Sequence, residues 1–508
     1  MAQIRVSELT FRYEGQEDTV FEKVSFSIDT NWRLGFIGRN GKGKTTFLHL
    51  LQGKYEYQGV VTAPVYVSYF PYKVKAGDME RFAAELFTEW KPECEEWKVI
   101  CELEQLGAGA EILYRPFCTL SSGERTKVML AVLFSSENDF LLIDEPTNHL
   151  DGDSRELVKQ YLASKKGFIL VSHDRELLDV CIDHVLVLNR KTIEVQTGNF
   201  SSWWENKTRK DAFAQAENEK RLKEIGKLQK AAKRSAQWAD QNERTKIGFD
   251  PLKETDRGIS TRAYIGAKTK KMQSRVKQMK NRMEREIKEK ENLLQDIETV
   301  MDLKLNPLPY HKQILVLARD YGLRYQDAQK PLFSGVSMEI RQGERIALSG
   351  RNGCGKTTLL KMMLEKADGL QRTTDLIETG SLNVGAGLMT SYVNQDASML
   401  HGNLDRFCEE RELDKSLFCS VLSQLGLERI QFSKPLEEYS EGQKKKALIA
   451  ASLLTPAHLY IWDEPLNYMD IFSRMQVEKL LLEYQPTMLF VEHDAYFRNK
   501  IATRVITL

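Results

Sequence analysis

The chain has 508 residues, 42% hydrophobic and 29% charged, enough for two or three domains that each bury a core of their own. No apolar run approaches 18 residues, which leaves no candidate membrane span, and seven cysteines without a C-x-x-C pair argue against a disulfide framework or zinc and for reduced thiols in a cytoplasmic protein. The net charge of +1 conceals an imbalance: residues 205–304 hold 26 Lys and Arg against 17 Asp and Glu, while the remainder holds 47 against 55. Such an asymmetry is expected where one segment meets a polyanion.

In chain order, Ile4, Val6, Leu9 and Phe11 alternate as in a strand, leaving no room for a signal peptide. Val24–Ile28 and Leu34–Ile37 are short β-rich runs, and the second feeds Gly38-Arg39-Asn40-Gly41-Lys42-Gly43-Lys44-Thr45. This octet fits G-x-x-x-x-G-K-[ST], in which successive backbone N–H groups converge on phosphate oxygens. Its lysine reaches the outer phosphates, and its hydroxyl ligates Mg²⁺. A helix predicted from Thr45 to Leu51 turns its positive end toward the same phosphates. Further on, Phe140–Ile143 and Phe168–Val171 read as parallel strands buried on both faces.

Residues 205–244 and 267–300 read as two long charged helices. Apolar steps of three and four residues mark a seam on each: Leu222, Ile225, Leu228 and Ala232 on the first, Met272, Val276, Met279, Met283 and Ile287 on the second. An antiparallel helical hairpin follows, with its tip near 245–266. Arg257, Arg262, Lys268, Lys270, Lys271, Arg275 and Lys277 cluster at the tip and the start of the second helix, a match for phosphate backbone, and Phe249 and Tyr264 could stack on unpaired bases. For each aromatic the competing reading is packing across the hairpin.

Beyond the hairpin the first plan repeats. Gly350-Arg351-Asn352-Gly353-Cys354-Gly355-Lys356-Thr357 lies 312 residues after the first octet, and Tyr13/Tyr325, Phe21/Phe333 and Val24/Val336 keep that offset. Each octet is followed by a serine-glycine motif (Ser121-Ser122-Gly123, Ser440-Glu441-Gly442), a strand ending Asp144-Glu145 or Asp463-Glu464, then Asp151 or Asp470, then His173 or His493. The expected division is 1–204, 205–305 and 306–508, an α/β protein with two nucleotide-binding domains in tandem.

This ordered set resembles the ATP-binding-cassette superfamily, and the resemblance covers both halves of the chain. It implies ATP and Mg²⁺ as cofactors and ATP hydrolysis as the reaction. By that resemblance Gly38, Asn40, Gly41, Gly43, Lys44, Thr45 and Thr46, with Gly350, Asn352, Gly353, Gly355, Lys356, Thr357 and Thr358, hold the phosphates. Tyr13 and Tyr325 stack on adenine. Thr45 with Asp144, and Thr357 with Asp463 and Gln395, hold the metal, while Glu145 and Glu464 polarise the attacking water. His173 and His493 contact the γ-phosphate. The sites are composite: Ser440 and Gly442 face the nucleotide on Lys44, and Ser121 and Gly123 the one on Lys356, with Asp151 and Asp470 alongside.

Two departures make the halves unequal. Tyr72 stands where Gln395 stands in the second half, and Leu466 and Tyr468 stand where the first half has Thr147 and His149. A fused cassette pair joined by a basic hairpin resembles the ABC-F family, and Trp462–Arg474 together with Tyr72 resembles its antibiotic-resistance group of Lsa and Vga type. Membership would imply a monomer that binds the bacterial ribosome at the exit-tRNA site, meeting 23S rRNA and P-site tRNA but neither membrane nor DNA. There it would promote release of lincosamides, pleuromutilins or streptogramin A compounds. The alternative is a housekeeping factor that relieves stalled ribosomes without any drug.

Overall fold

In the computed structural model the residues described are 2–14, 19–136, 139–148, 150–189, 192–244, 274, 278, 281, 282, 305–326, 328–369 and 376–508. Cassette one runs β1 (Gln3–Phe11), β2 (Phe21–Asp29), β3 (Arg33–Ile37), α1 (Lys44–Leu51), β4 (Gln58–Thr62), β5 (Tyr66–Phe70), α2 (Ala83–Trp90), α3 (Glu96–Gln105), α4 (Ser122–Phe134), β6 (Asp139–Asp144), α5 (Gly152–Ser164), β7 (Phe168–Val171), α6 (Arg175–Cys181), β8 (His184–Leu188) and β9 (Ile193–Thr197). After α7 (Phe200–Arg244), cassette two runs β10 (Ile314–Tyr325), β11 (Phe333–Arg341), β12 (Arg345–Ser349), α8 (Lys356–Asp368), β13 (Leu376–Val384), β14 (Thr390–Val393), α9 (Leu404–Glu410), α10 (Lys415–Gln424), α11 (Glu441–Leu454), β15 (Leu459–Asp463), α12 (Ile471–Tyr484), β16 (Met488–Val491), α13 (Ala495–Ile501) and β17 (Arg504–Thr507).

Each cassette has two sheets. One is antiparallel and three-stranded, ordered β2-β1-β4 or β11-β10-β13. The other is parallel but for its β9 edge, ordered β5-β6-β7-β3-β8-β9 or β14-β15-β16-β12-β17. The apolar runs Phe140–Ile143 and Phe168–Val171 are buried, and on one face Phe140, Leu142, Ile169 and Val171 share a core with α1 and the three-stranded sheet. The order β6-β7-β3 places the ends of three neighbouring strands side by side, and from those ends come Asp144-Glu145, His173 and the first phosphate loop. Ligands of open parallel sheets lie at such strand ends.

The chain divides into two compact units, Met1–Trp203 with Met301–Leu508, and Trp204–Val300. The two cassettes thus share one unit, and the outer boundary falls before the expected 305. Leu305 is buried in the core of cassette two, among Val393, Leu404 and Trp462. In the second unit, i,i+4 pairs Glu205–Arg209 and Glu217–Arg221 run along α7. On the expected seam Ile225 is buried and Leu222 is 55% exposed, while the side chains of Leu228 and Ala232 lie outside those described. Phe249, Arg257, Arg262, Tyr264, Lys268, Lys270, Lys271, Arg275 and Lys277 lie outside the described residues, as do the tip and the apolar steps of the second helix.

Arg175 joins the cassettes through a two-pronged, buried ion pair with Glu478, at 2.7 and 3.1 Å. Lys500 adds a contact at 3.2 Å to Glu478, and the Arg175 guanidinium also lies 4.9 Å from the centre of the Tyr496 ring. The related positions in the other half carry Ala495 and Lys159, so the pair has no mirror image. Glu478→Ala leaves a buried guanidinium without its carboxylate and is expected to destabilise the protein by about 3–5 kcal/mol, read as a shift in denaturant midpoint. Arg175→Ala, which leaves Lys500 to Glu478, is expected to cost less.

Candidate ATP-binding sites

Both phosphate loops depend on glycine for their backbone. Gly41 and Gly43 have φ of 79° and 103°, Gly353 and Gly355 of 80° and 98°. A Cβ on Gly43 would lie 2.6 Å from Val20. No side chain caps α1 or α8, so their first N–H groups point into the loops and can take phosphate oxygens. Lys44 folds back onto the Gly38 carbonyl (2.7 Å) and Asn40 Oδ1 (3.0 Å), and Lys356 onto the Gly350 and Arg351 carbonyls (2.8 and 3.0 Å). Thr46 accompanies Lys44 on α1, where its hydroxyl lies 2.7 Å from that of Tyr13; Asn352 and Thr358 occupy the related positions of the second loop.

A cavity of about 520 Å³ opens at the first loop and is lined by both cassettes. Cassette one supplies Asn40, Gly41, Lys44, Thr45, Asp144, Glu145 and His173; cassette two supplies Ser440, Gly442, Gln443, Lys446 and Tyr468. Asn40 Nδ2 donates to the Tyr468 carbonyl at 2.8 Å, and Lys42 pairs with Glu428 at the rim. Gly442 lies against that carbonyl: a Cβ there would sit 2.4 Å from the oxygen. Gly442→Ala is therefore expected to lower ATP affinity at the Lys44 site by roughly tenfold or more, because backbone must move to admit the methyl. Equilibrium binding of a fluorescent ATP analogue to a chain that also carries Lys356→Ala checks this.

A further cavity lies beside the second phosphate loop. At about 570 Å³ it gathers Gly350, Arg351 and His493 with Asp151 and Arg155 of cassette one, but not Lys356, Ser121 or Gly123. Ser121 and Ser440 are helix N-caps in capping boxes with Glu124 and Gln443. Asp151 and Asp470 are N-caps as well, and Asp470 is buried against Lys446 at 2.6 Å. Tyr13 also packs edge-on against Phe11 and Tyr55, whereas Tyr325 is 45% exposed. His149 lies outside the described residues.

At the two strand ends Glu145 and Glu464 sit at φ of 51° and 45°, a conformation costing about 1–3 kcal/mol in a residue with a side chain. The bonds Glu145 N to Val171 O (2.9 Å) and Glu464 N to Val491 O (3.0 Å) hold them there. His173 Nε2 lies 3.3 Å from Glu145, and His493 Nε2 3.4 Å from Glu464. Burial, with Lys44 and Arg474 nearby, holds His173 well below the usual imidazole range, so it is neutral. Burial and then Asp144 push Glu145 up, whereas at Glu464 burial is outweighed by His493, Lys445 and Lys356 together, which draw it down.

The acidic groups fit a hard cation. Thr45 Oγ1 donates to Asp144 Oδ2 at 3.1 Å, pairing a hydroxyl with a carboxylate at the loop. Both oxygens of Asp463 are buried without a well-formed hydrogen bond among the described residues, and burial pushes that carboxyl up to about 6. Gln395 lies between Thr357 Oγ1 (3.5 Å) and Glu464 Oε2 (3.0 Å). Its first-half counterpart Tyr72 instead stacks on Trp90, with ring centres 4.9 Å apart. Sequence reasoning missed Lys446, Tyr69 and Arg474; the first follows the serine-glycine motif by four residues, but only tertiary packing shows what it meets.

Residues 21–148 and 333–467 match the family described as ABC transporter. The chain belongs to that family, is an ATPase, and within the family is of the ABC-F type, with two cassettes on one polypeptide. It is 29% identical to the ribosome protection protein VmlR of Bacillus subtilis, over 96% of this chain and 84% of that one. It is 28% identical to the putative ATP-binding protein YdiF of the same organism, over 97% and 78%. Among solved structures, an archaeal ribosome recycling factor, aABCE1, in complex with a stalk protein, aligns over 98% of this chain and 87% of that one, with a TM-score of 0.60 and 18% identity, which shows the shared fold.

Proposed function

We propose that this chain is an ATP-driven ribosome protection protein. The supporting observation is that the likeness to VmlR spans 96% of this chain, and so includes the basic segment between the cassettes as well as the cassettes themselves. In this reading Lys44 and Lys356 neutralise phosphate charge, Thr45 with Asp144 and Thr357 with Asp463 and Gln395 hold Mg²⁺, and Glu145 and Glu464 position water. Nucleotide in the first cavity bridges Lys44 and the Ser440–Gly442 turn, so bound ATP adheres the cassettes and hydrolysis frees them.

The ATP-bound form enters the exit-tRNA site of the bacterial ribosome, beside 23S rRNA and P-site tRNA. The tip near 245–266 then reaches toward the peptidyl-transferase centre and promotes release of lincosamides, pleuromutilins or streptogramin A compounds. The surplus of basic side chains in 205–304 supports an RNA contact, because Lys and Arg on phosphates release counterions. Co-sedimentation with bacterial ribosomes tests this. Binding is expected to need ATP and to weaken steeply with salt, and Lys270→Ala or Arg275→Ala is expected to lower the salt slope by about 1. Binding that is indifferent to both ATP and salt would remove the proposal.

A further inference from the structure

The first site lacks a glutamine where the second has Gln395, and the structure shows what stands there instead. Tyr72, at that position, is committed elsewhere: it lies flat on Trp90 with an interplanar angle of 3°, and its buried hydroxyl has no hydrogen-bond partner among the described residues. Three residues earlier, the Tyr69 hydroxyl donates to Asp144 Oδ2 at 3.0 Å, the oxygen that also accepts from Thr45. The Tyr69 ring is fixed from two sides, by His49 at 5.4 Å and by the Lys54 ammonium at 5.3 Å from its centre.

The second cassette reverses this arrangement. Its counterpart tyrosine, Tyr392 in Ser391-Tyr392-Val393-Asn394-Gln395, gives its hydroxyl to Asn394 Oδ1 at 3.3 Å rather than to Asp463. Gln395 reaches Glu464 and Thr357 directly. Where the glutamine is present the tyrosine serves its own loop; where it is absent the tyrosine holds the carboxylate.

We propose that Tyr69 is the positioning residue of the first metal site, fixing the rotation of Asp144, whereas at the second site the glutamine reaches Thr357 and Glu464. Two donors on one oxygen of Asp144 set the plane of its carboxylate before any cation arrives. The loop that carries Tyr72 is then released from contact with the metal. The proposal rests on the reading of Thr45 and Asp144 as the metal-holding pair and is independent of what the protein does on the ribosome.

The test titrates Mg²⁺ against binding of a fluorescent ATP analogue in a chain carrying Lys356→Ala, so that the first site alone reports. Tyr69→Phe is expected to raise the Mg²⁺ concentration for half-maximal tight binding by about tenfold or more, the loss of one hydrogen bond to a charged group. Binding of the analogue in EDTA is expected to be unchanged. Tyr392→Phe, made with Lys44→Ala so that the second site reports, is expected to leave the Mg²⁺ midpoint where it was. An unshifted midpoint for Tyr69→Phe, an equal shift for both tyrosines, or an equal loss in EDTA would each overturn the proposal. If binding before substitution shows no Mg²⁺ dependence, it is the reading of Thr45 and Asp144 that fails.

Discussion

Replacing both strand-end glutamates, Glu145→Gln and Glu464→Gln, is expected to slow ATP hydrolysis by about 10²-fold or more while ATP binding survives. Each glutamate is the group best placed to orient water: it follows an aspartate at the end of a parallel strand, is held at positive φ by a backbone bond to the neighbouring strand, and lies beside a histidine. The amide keeps the shape but cannot take a proton. With hydrolysis stopped, nucleotide remains between Lys44 and Ser440–Gly442 and the cassettes stay joined. The double variant is therefore expected to accumulate on ribosomes in ATP, measured by sedimentation beside steady-state phosphate release. Turnover at the unsubstituted rate would remove the glutamates from the mechanism. Slow turnover without ribosome binding would separate the ATPase from the proposed partner and favour a different class of cassette protein.

The second large effect is assigned to the tip. About 20 residues from Thr245 to Gly266 separate the two apolar seams, more than a helical turn needs for closure, and Phe249, Arg257 and Tyr264 lie within that surplus. Replacing 247–260 with a minimal turn is expected to preserve folding, ATPase rate and ribosome binding, because the cassettes and the basic helices remain. Protection from drugs is expected to be lost entirely. Full protection from the shortened chain would move the effect to the cassettes, as competition for the exit site. Phe249→Ala and Tyr264→Ala are expected to change which drugs are opposed, read from inhibition curves for each class.

What the sequence made legible follows from what each feature demands of the backbone. A phosphate loop needs glycine at positive φ, as at Gly41, Gly43, Gly353 and Gly355, and a buried parallel strand needs an uninterrupted apolar run, as at Phe140–Ile143. Both demands are local, so the buried strands beside the loops, both loops and the Asp-Glu strand ends could be placed without coordinates. Strands β4 and β13 are among those the sequence did not mark, and several of their residues face solvent, which blurs the period-two signal. Of the contacts between the cassettes, the facing of Lys44 and Ser440–Gly442 was expected through the family resemblance, and the others were not legible. Arg175 and Glu478 are 303 positions apart, and nothing near either predicts a buried pair. Tyr72 was read as a missing metal ligand, but the partner it has in Trp90 and the substitute it has in Tyr69 depend on how helix α2 packs against the sheet edge.

The central claim is protection of a ribosome from drugs at its catalytic centre, and growth inhibition measures it directly. A susceptible bacterium expressing the intact chain is challenged with ribosome-directed drugs of several classes, beside the same strain expressing Glu145→Gln with Glu464→Gln. The intact chain is expected to raise the inhibitory concentration of lincosamides, pleuromutilins or streptogramin A compounds and to leave drugs acting away from the peptidyl-transferase centre unchanged. The double variant is expected to give no such rise. Unaltered sensitivity to every class, from a chain that hydrolyses ATP and binds ribosomes, would contradict the claim and favour a factor that acts on stalled ribosomes without any drug.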